Sequence, residues 1–170
     1  MSQMATWSRK HLPLLKRFES ATVADVWAFC GRQPLGKHLF SKLLALKIPY
    51  SGTLGAEVDE LSDGHCKVTL RDRRAVRNHL DCIHAIALVN LGELTTGLAV
   101  FHALDGRAKG IVTGLRIAYH KKARGTLTAS CDVDIPVVTE SCELTVEGLV
   151  RDSQGDVVST IWATWTLKPL

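Results

Sequence analysis

No CxxC pair, no zinc-type spacing of cysteine and histidine, and no glycine-rich phosphate loop occur in this sequence. The nearest thing to such a loop, GRAKG at residues 106–110, is too short and too poorly placed to cradle a phosphate. The five cysteines are an odd set, and four of them sit among apolar or strand-like neighbours. That argues against a disulfide framework and for reduced, packed thiols in a cytosol-like compartment. Excess charge is also scarce. The net charge of +4 comes without the dense basic stripe of a nucleic-acid binder, so nucleic acid is not an expected partner. No continuous apolar run approaches the roughly 18 residues that cross a bilayer, and no membrane span is expected. The opening MSQMATWSRKHLPLLKRF is basic but has no apolar core or small-residue cleavage site, which counts against a secretory signal. Its Lys/Arg content leaves an organelle-targeting peptide open, although Glu19 and the helical continuation count against one. A cytoplasmic location is the expectation. Internal repeats, low-complexity tracts and interdomain linkers are absent as well.

What is present fits one domain. A chain of 170 residues, 46% apolar and 22% charged, can bury a core without covalent staples. Residues 7–48 have helical spacing, through Leu12, Leu14, Leu15 and Phe18 and then Val23, Val26, Trp27 and Cys30. Gly31 and Pro34 break that stretch and LGKHLFSKLLALKI resumes it, giving two or three short helices. The period then changes to two. Leu54, Ala56 and Val58 alternate with polar residues or glycine, Ser62, Asp63 and Gly64 supply a turn, and Cys66, Val68 and Leu70 form the return strand.

After a polar loop over 72–83, residues 84–104 form the longest helical segment, closed by Asp105 and Gly106. Four strands follow. The first places Ile111, Leu115, Ile117 and Tyr119 on one face, and the second alternates cleanly from Thr126 to Ile135. The last two are SCELTVEGLV and DVVSTIWATWTL, joined by a turn-rich connection, with Trp162 and Trp165 on opposite faces. The class is therefore α+β: an antiparallel sheet of about six strands wrapped around one long helix, with an N-terminal helical extension. The division expected is 1–49 for the extension and 50–170 for the main domain. The long helix is apolar nearly all round, so both of its sides should be buried, one by its own sheet and the other by a second subunit. Glu93 lies on that second side.

Polar groups crowd the entrance to this helix: Asn78, His79, Asp81, Cys82 and His84 in NHLDCIH. With the spacing Asn78, Asp81, His84-Ala85-Ile86 and Leu91-Gly92-Glu93, the chain resembles the hotdog-fold thioesterases over about residues 50–168. The likeness is to the PaaI-like acyl-CoA thioesterases and their DUF4442-type relatives. Their pattern is an Asn, a Gly three residues on, His-Gly-Gly, and Leu-x-Asp/Glu within the helix.

The resemblance implies hydrolysis of an acyl-CoA thioester by a homodimer or dimer of dimers, with no cofactor and no metal. It makes Glu93 the catalytic carboxylate, Ala85 the N–H donor to the developing oxyanion, and Asn78 a group orienting the carbonyl or the water. Substrate contacts are implied for His79, Asp81, His84 and Thr96, with His84 mainly shaping the loop. Lys121, Lys122 and Arg124 in HKKARG are implied for the coenzyme A phosphates, with Arg71, Arg73, Arg74 and Arg77 flanking the same region.

The chemistry is consistent, because a helix start offers unpaired N–H groups and partial positive charge. Two departures stand out. Asp81 replaces glycine, so either the loop backbone differs there or Asp81 adopts the left-handed conformation. Ala85-Ile86 replaces Gly-Gly and narrows the thioester's approach.

Plainer roles stand beside these. Glu93 has an alternative as a structural interface carboxylate, Asn78 and Asp81 as loop and capping residues, and the basic residues as solvated hairpin ends. A metal held by His79, Cys82 and His84 matches no standard zinc pattern. The N-terminal leucines and Phe40 read first as core and second as a lid over an acyl chain. Among whole-protein alternatives, a non-catalytic acyl-CoA or acyl-carrier-protein binder comes first, then a hotdog dehydratase or hydratase, then a purely structural oligomer.

Overall fold

The computed structural model of the protein describes residues 21–170. The expected helical positions Leu12, Leu14, Leu15 and Phe18 lie outside the described residues. Helix α1 spans Val23–Gly31 and begins with a reciprocal cap. The Thr22 hydroxyl accepts the Asp25 N–H, and the Asp25 carboxylate accepts the Thr22 N–H. Helices α2 (Gly36–Lys47) and α3 (Pro49–Gly52) follow. Trp27 of α1 meets Phe40 of α2 edge-on, with ring centroids 5.0 Å apart. Cys30, Phe40 and Leu43 are buried in the same core as the strands.

Six strands form one antiparallel sheet in the order β1-β2-β4-β5-β6-β3. They span Glu57–Ser62, His65–Leu70, Ala108–Tyr119, Leu127–Asp132, Cys142–Arg151 and Val157–Pro169 for β1 to β6. The β1–β2 hairpin turns at Asp63-Gly64, where Gly64 has φ +69 and a Cβ would lie 2.1 Å from the Val133 carbonyl oxygen. Only glycine fits that position.

Helix α4, Ala85–Leu104, lies in the concavity of the sheet and touches every strand. Small residues allow the close approach: a Cβ on Gly92 would sit 2.4 Å from Ile161 Cγ2, and one on Gly97 would sit 3.1 Å from the Trp165 ring. Trp165 also packs edge-on against Phe101 at 5.3 Å. Trp162, on the opposite face, lies under the Arg116 guanidinium and donates to Glu147 at 2.8 Å.

One expectation is qualified and one is corrected. Helix α4 does have the length and mean hydropathy of a membrane-crossing helix, 1.3 over an 18-residue window. Polar residues interrupt its apolar run without lowering the average enough. Of that window 61% is buried inside the protein, and a core helix meets the same criteria. The correction concerns β3. A bulge between Val112 and Gly114 shifts the register, so Ile111 lies opposite Thr166 while Leu115, Ile117 and Tyr119 lie opposite Ala163, Ile161 and Ser159. One extra residue reverses the side-chain alternation. Ile111 is thereby separated from the other three, which share the helix-facing side with Ile161.

The outer side of β1 is covered by α2, where the Ser41 hydroxyl accepts the Val58 N–H at 2.9 Å. Strand β3 forms the other end of the sheet. None of the five cysteines is in a disulfide. Cys66 and Cys131 face each other across β2 and β4, and burial pushes the Cys131 thiol up to about 12. Both are inert packing groups.

Candidate active site

The loop before α4 is built around Asn78. Its side-chain oxygen accepts the N–H groups of Leu80 at 2.9 Å and Cys82 at 3.3 Å, and its own N–H donates to the Cys82 carbonyl at 2.8 Å. That is Asx-turn chemistry. It commits the side-chain oxygen to the loop and leaves the amide NH₂ as the group free to meet another molecule.

Asp81 has φ +52, the left-handed conformation in which a glycine is ordinarily found. Asp is among the few residues that tolerate it. Arg124 braces the same turn, donating to the Asp81 and Leu80 carbonyls at 3.3 and 3.5 Å. An Asp81→Gly variant is expected to melt at or slightly above the wild-type temperature. Asp81→Val is expected to lose about 1–2 kcal/mol, since a β-branched side chain is strained there. Thermal melts of the two variants check this.

His84 is the N-cap of α4. Its Nδ1 accepts the Ile86 N–H at 3.1 Å, and its backbone N–H donates to Val76 at 2.8 Å. The acceptor role leaves the hydrogen on Nε2. Capping spends one of the helix's orphan donors; among the described residues the Ala85 N–H has no acceptor. The helix start therefore keeps a free N–H at the position of the expected oxyanion donor. Tyr119 of β3 closes this corner, its hydroxyl donating to the Ala85 carbonyl at 3.2 Å. Burial raises the Tyr119 pKa. Sequence spacing gives Tyr119 only a place on a strand face, because spacing does not register its meeting with the helix start.

Glu93 is half-buried, and burial raises the pKa of its carboxyl above the ordinary value near 4.5. No cation pairs with it among the described residues. It shares its side of α4 with Ile86 and Val89, seven and four residues earlier. Ile86 is 55% exposed there and Val89 half-buried, while Leu115 and Tyr119, on the helix-facing side of β3, are 46% and 48% exposed. Partly exposed apolar side chains on α4 and β3 thus accompany a carboxylate that no cation pairs among the described residues.

Thr96, expected at the substrate, is fully buried, and its hydroxyl is taken up by the Gly92 and Glu93 carbonyls at 3.0 and 3.1 Å. It fixes the turn that carries Glu93 and offers no surface to a ligand. His79 is exposed. Lys121 is held between Asp152 at 2.7 Å and Asp156 at 2.8 Å, which neutralises it as an anion site. Lys122 is exposed and has no such partner among the described residues. Arg77 is committed to Asp72 at 2.6 Å. Among the described residues, no group of three or more His, Cys, Asp or Glu side chains is placed to hold a metal ion.

The fold is shared with several solved proteins. A probable thioesterase of Pseudomonas aeruginosa, PA5026, is 22% identical with a TM-score of 0.70, covering 81% of this chain and 97% of its own. The Haemophilus influenzae thioesterase HI1161 is 14% identical with a TM-score of 0.63, covering 71% and 83%. A point mutant of the Staphylococcus aureus thioesterase SAV0944 is 16% identical with a TM-score of 0.63, covering 71% and 99%. No curated protein matches the chain in sequence. The profile described as "Domain of unknown function (DUF4442)" matches residues 36–167. With that match over most of its length, and an antiparallel sheet wrapped around one central helix, the chain is a hotdog-fold member of the DUF4442 family.

Proposed function

We propose that the protein hydrolyses acyl-CoA thioesters at a site assembled from two copies of the chain. The observation that carries this reading is Glu93: an unpaired carboxylate with a raised pKa, accompanied by partly exposed apolar side chains. A base is most effective when its pKa lies near the working pH, and burial moves Glu93 in that direction. In the proposed reaction Glu93 takes a proton from water, whose oxygen attacks the thioester carbonyl. The oxyanion is held by the Ala85 N–H. The carbon–sulfur bond then breaks, and the thiolate leaves with the proton from Glu93.

Geometry supports the requirement for two copies. Glu93 is eight residues beyond Ala85, about 12 Å along the axis at 1.5 Å per residue. One helix therefore cannot present both groups to one carbonyl. Glu93 of one copy and the helix start of its partner can. The partly exposed apolar side chains that accompany Glu93 are the surface such a partner would cover. The test is thiol release from a panel of acyl-CoA esters alongside sedimentation: a protein that is monomeric throughout and releases no thiol defeats the reading.

For the coenzyme A phosphates, the free charge of Lys122 is a better candidate than the neutralised Lys121. Lys122→Glu is expected to raise KM several-fold with kcat nearly unchanged, whereas Lys121→Ala should move KM less. Steady-state kinetics on one acyl-CoA separates the two.

A second reading is a binder without turnover, favoured by Ile86, whose exposed side chain crowds the helix start where a smaller residue would admit the thioester. Acyl-CoA raising the melting temperature, with no thiol released by any ester, would select it.

A further inference from the structure

Apart from the proposed catalytic site, a cavity of about 600 Å³ lies between α2, α3 and β1. Its apolar lining includes Leu44, Ala45, Ile48 and Leu94. Leu94 belongs to α4, so the cavity reaches inward to the central helix. The volume lies within the roughly 300–1,000 Å³ of ordinary small-molecule sites. Its polar lining is mostly cationic or ionisable. Lys42 and His38 come from α2, one helical turn apart on the same side, and Arg71 directly follows β2. Among the described residues the single carboxylate there is Glu57, and its contact with Arg71 is long, 3.9 Å, with the guanidinium largely exposed. Positive charge beside an apolar hollow is complementary to one kind of molecule, an aliphatic chain with an anionic head.

We infer that this cavity is a binding site for a linear aliphatic anion of the fatty-acid class. The chain lies against Leu44, Ile48 and Leu94, and the carboxylate meets Lys42 and Arg71. The site is separate from the proposed catalytic site and does not depend on thioester hydrolysis.

Titration calorimetry on the full chain, with octanoate, decanoate and dodecanoate below their micelle concentrations, tests the assignment. One site per chain is expected, with affinity rising roughly fourfold per added methylene, since each buried CH₂ contributes about 0.8 kcal/mol. The double variant Lys42→Glu/Arg71→Glu should weaken dodecanoate at least tenfold, and Ile48→Asp should do the same by spoiling the apolar wall. All three positions are exposed enough for the fold to survive, which circular dichroism verifies. Glu93→Gln should bind dodecanoate as wild type does, so loss of catalysis and loss of this site are read independently.

Several results would overturn the inference. They are equal binding by dodecyltrimethylammonium, indifference to all three substitutions, binding that appears only once residues 1–20 are removed, and a stoichiometry of one anion per two chains.

Discussion

Glu93→Gln is expected to cut thiol release from acyl-CoA by at least about 100-fold, the usual range for removing a general base, and to melt at a higher temperature than wild type at pH 7. The two effects have one cause. Burial disfavours the charged carboxylate, so the folded chain binds the Glu93 proton more tightly than the unfolded chain does. The sign follows directly. Wild-type stability from this group is full below the ordinary carboxylate value near 4.5, declines as pH rises through the raised folded value, and is flat above it. Glutamine has no charge to desolvate and escapes that decline. The difference in melting temperature should therefore be present at pH 7 and shrink towards pH 4. Paired melts at the two pH values, with kinetics on the same preparations, check it. A variant that keeps wild-type turnover removes Glu93 from the mechanism. A variant less stable than wild type at pH 7 means that the carboxylate is paired in the assembled protein, which is the structural alternative for this residue.

Gly92→Ala should be the most damaging small change in the core. In an exposed helix this substitution gains up to about 1 kcal/mol. Here the new methyl would stand 2.4 Å from Ile161 Cγ2 and 2.8 Å from its Cδ1. Either α4 moves off β6 or Ile161 leaves its rotamer, at a net cost of about 2–3 kcal/mol. Because Glu93 is the next residue, displacement of this turn should also lower turnover. A double-mutant cycle isolates the clash. Ile161→Ala alone costs about 2–5 kcal/mol through the cavity it leaves, but in that background Gly92→Ala should be nearly neutral. Purely additive losses would mean that the helix does not approach β6 this closely.

The parts of this protein legible in the sequence are those fixed by local pattern. The apolar run from Ala85 to Leu104, the Asp63-Gly64 turn and the opposite orientation of Trp162 and Trp165 each follow from spacing within a short segment. Asp81 shows a middle case: the local options are two, and φ +52 selects between them. Other features depend on partners distant in the chain. The β3 bulge reverses which residues face the helix, yet GIVTGLRIAY carries no mark of it beyond glycine. Lys121 has its charge compensated by Asp152 and Asp156, some thirty residues on, and Tyr119 finds Ala85 only because β3 ends beside the start of α4. Thr96 looks like a polar residue near Glu93 until the sheet closes over it. The cavity between α2, α3 and β1 is a gap, and no residue pattern announces empty space.

The two ends of the sheet differ in a way that limits how the protein can assemble. At β1 the Ser41 hydroxyl occupies the Val58 N–H and α2 lies alongside, whereas β3 ends the sheet at the other side over twelve residues, Ala108–Tyr119. A unit with two reactive ends polymerises; a unit with one reacts once and stops. Strand pairing between copies through β3 would consume the one open sheet end among the described residues and leave a product capped at both extremities. The helix beside that cavity would thus also act as a chain terminator: with β1 covered, growth by strand addition through β3 would stop at two copies.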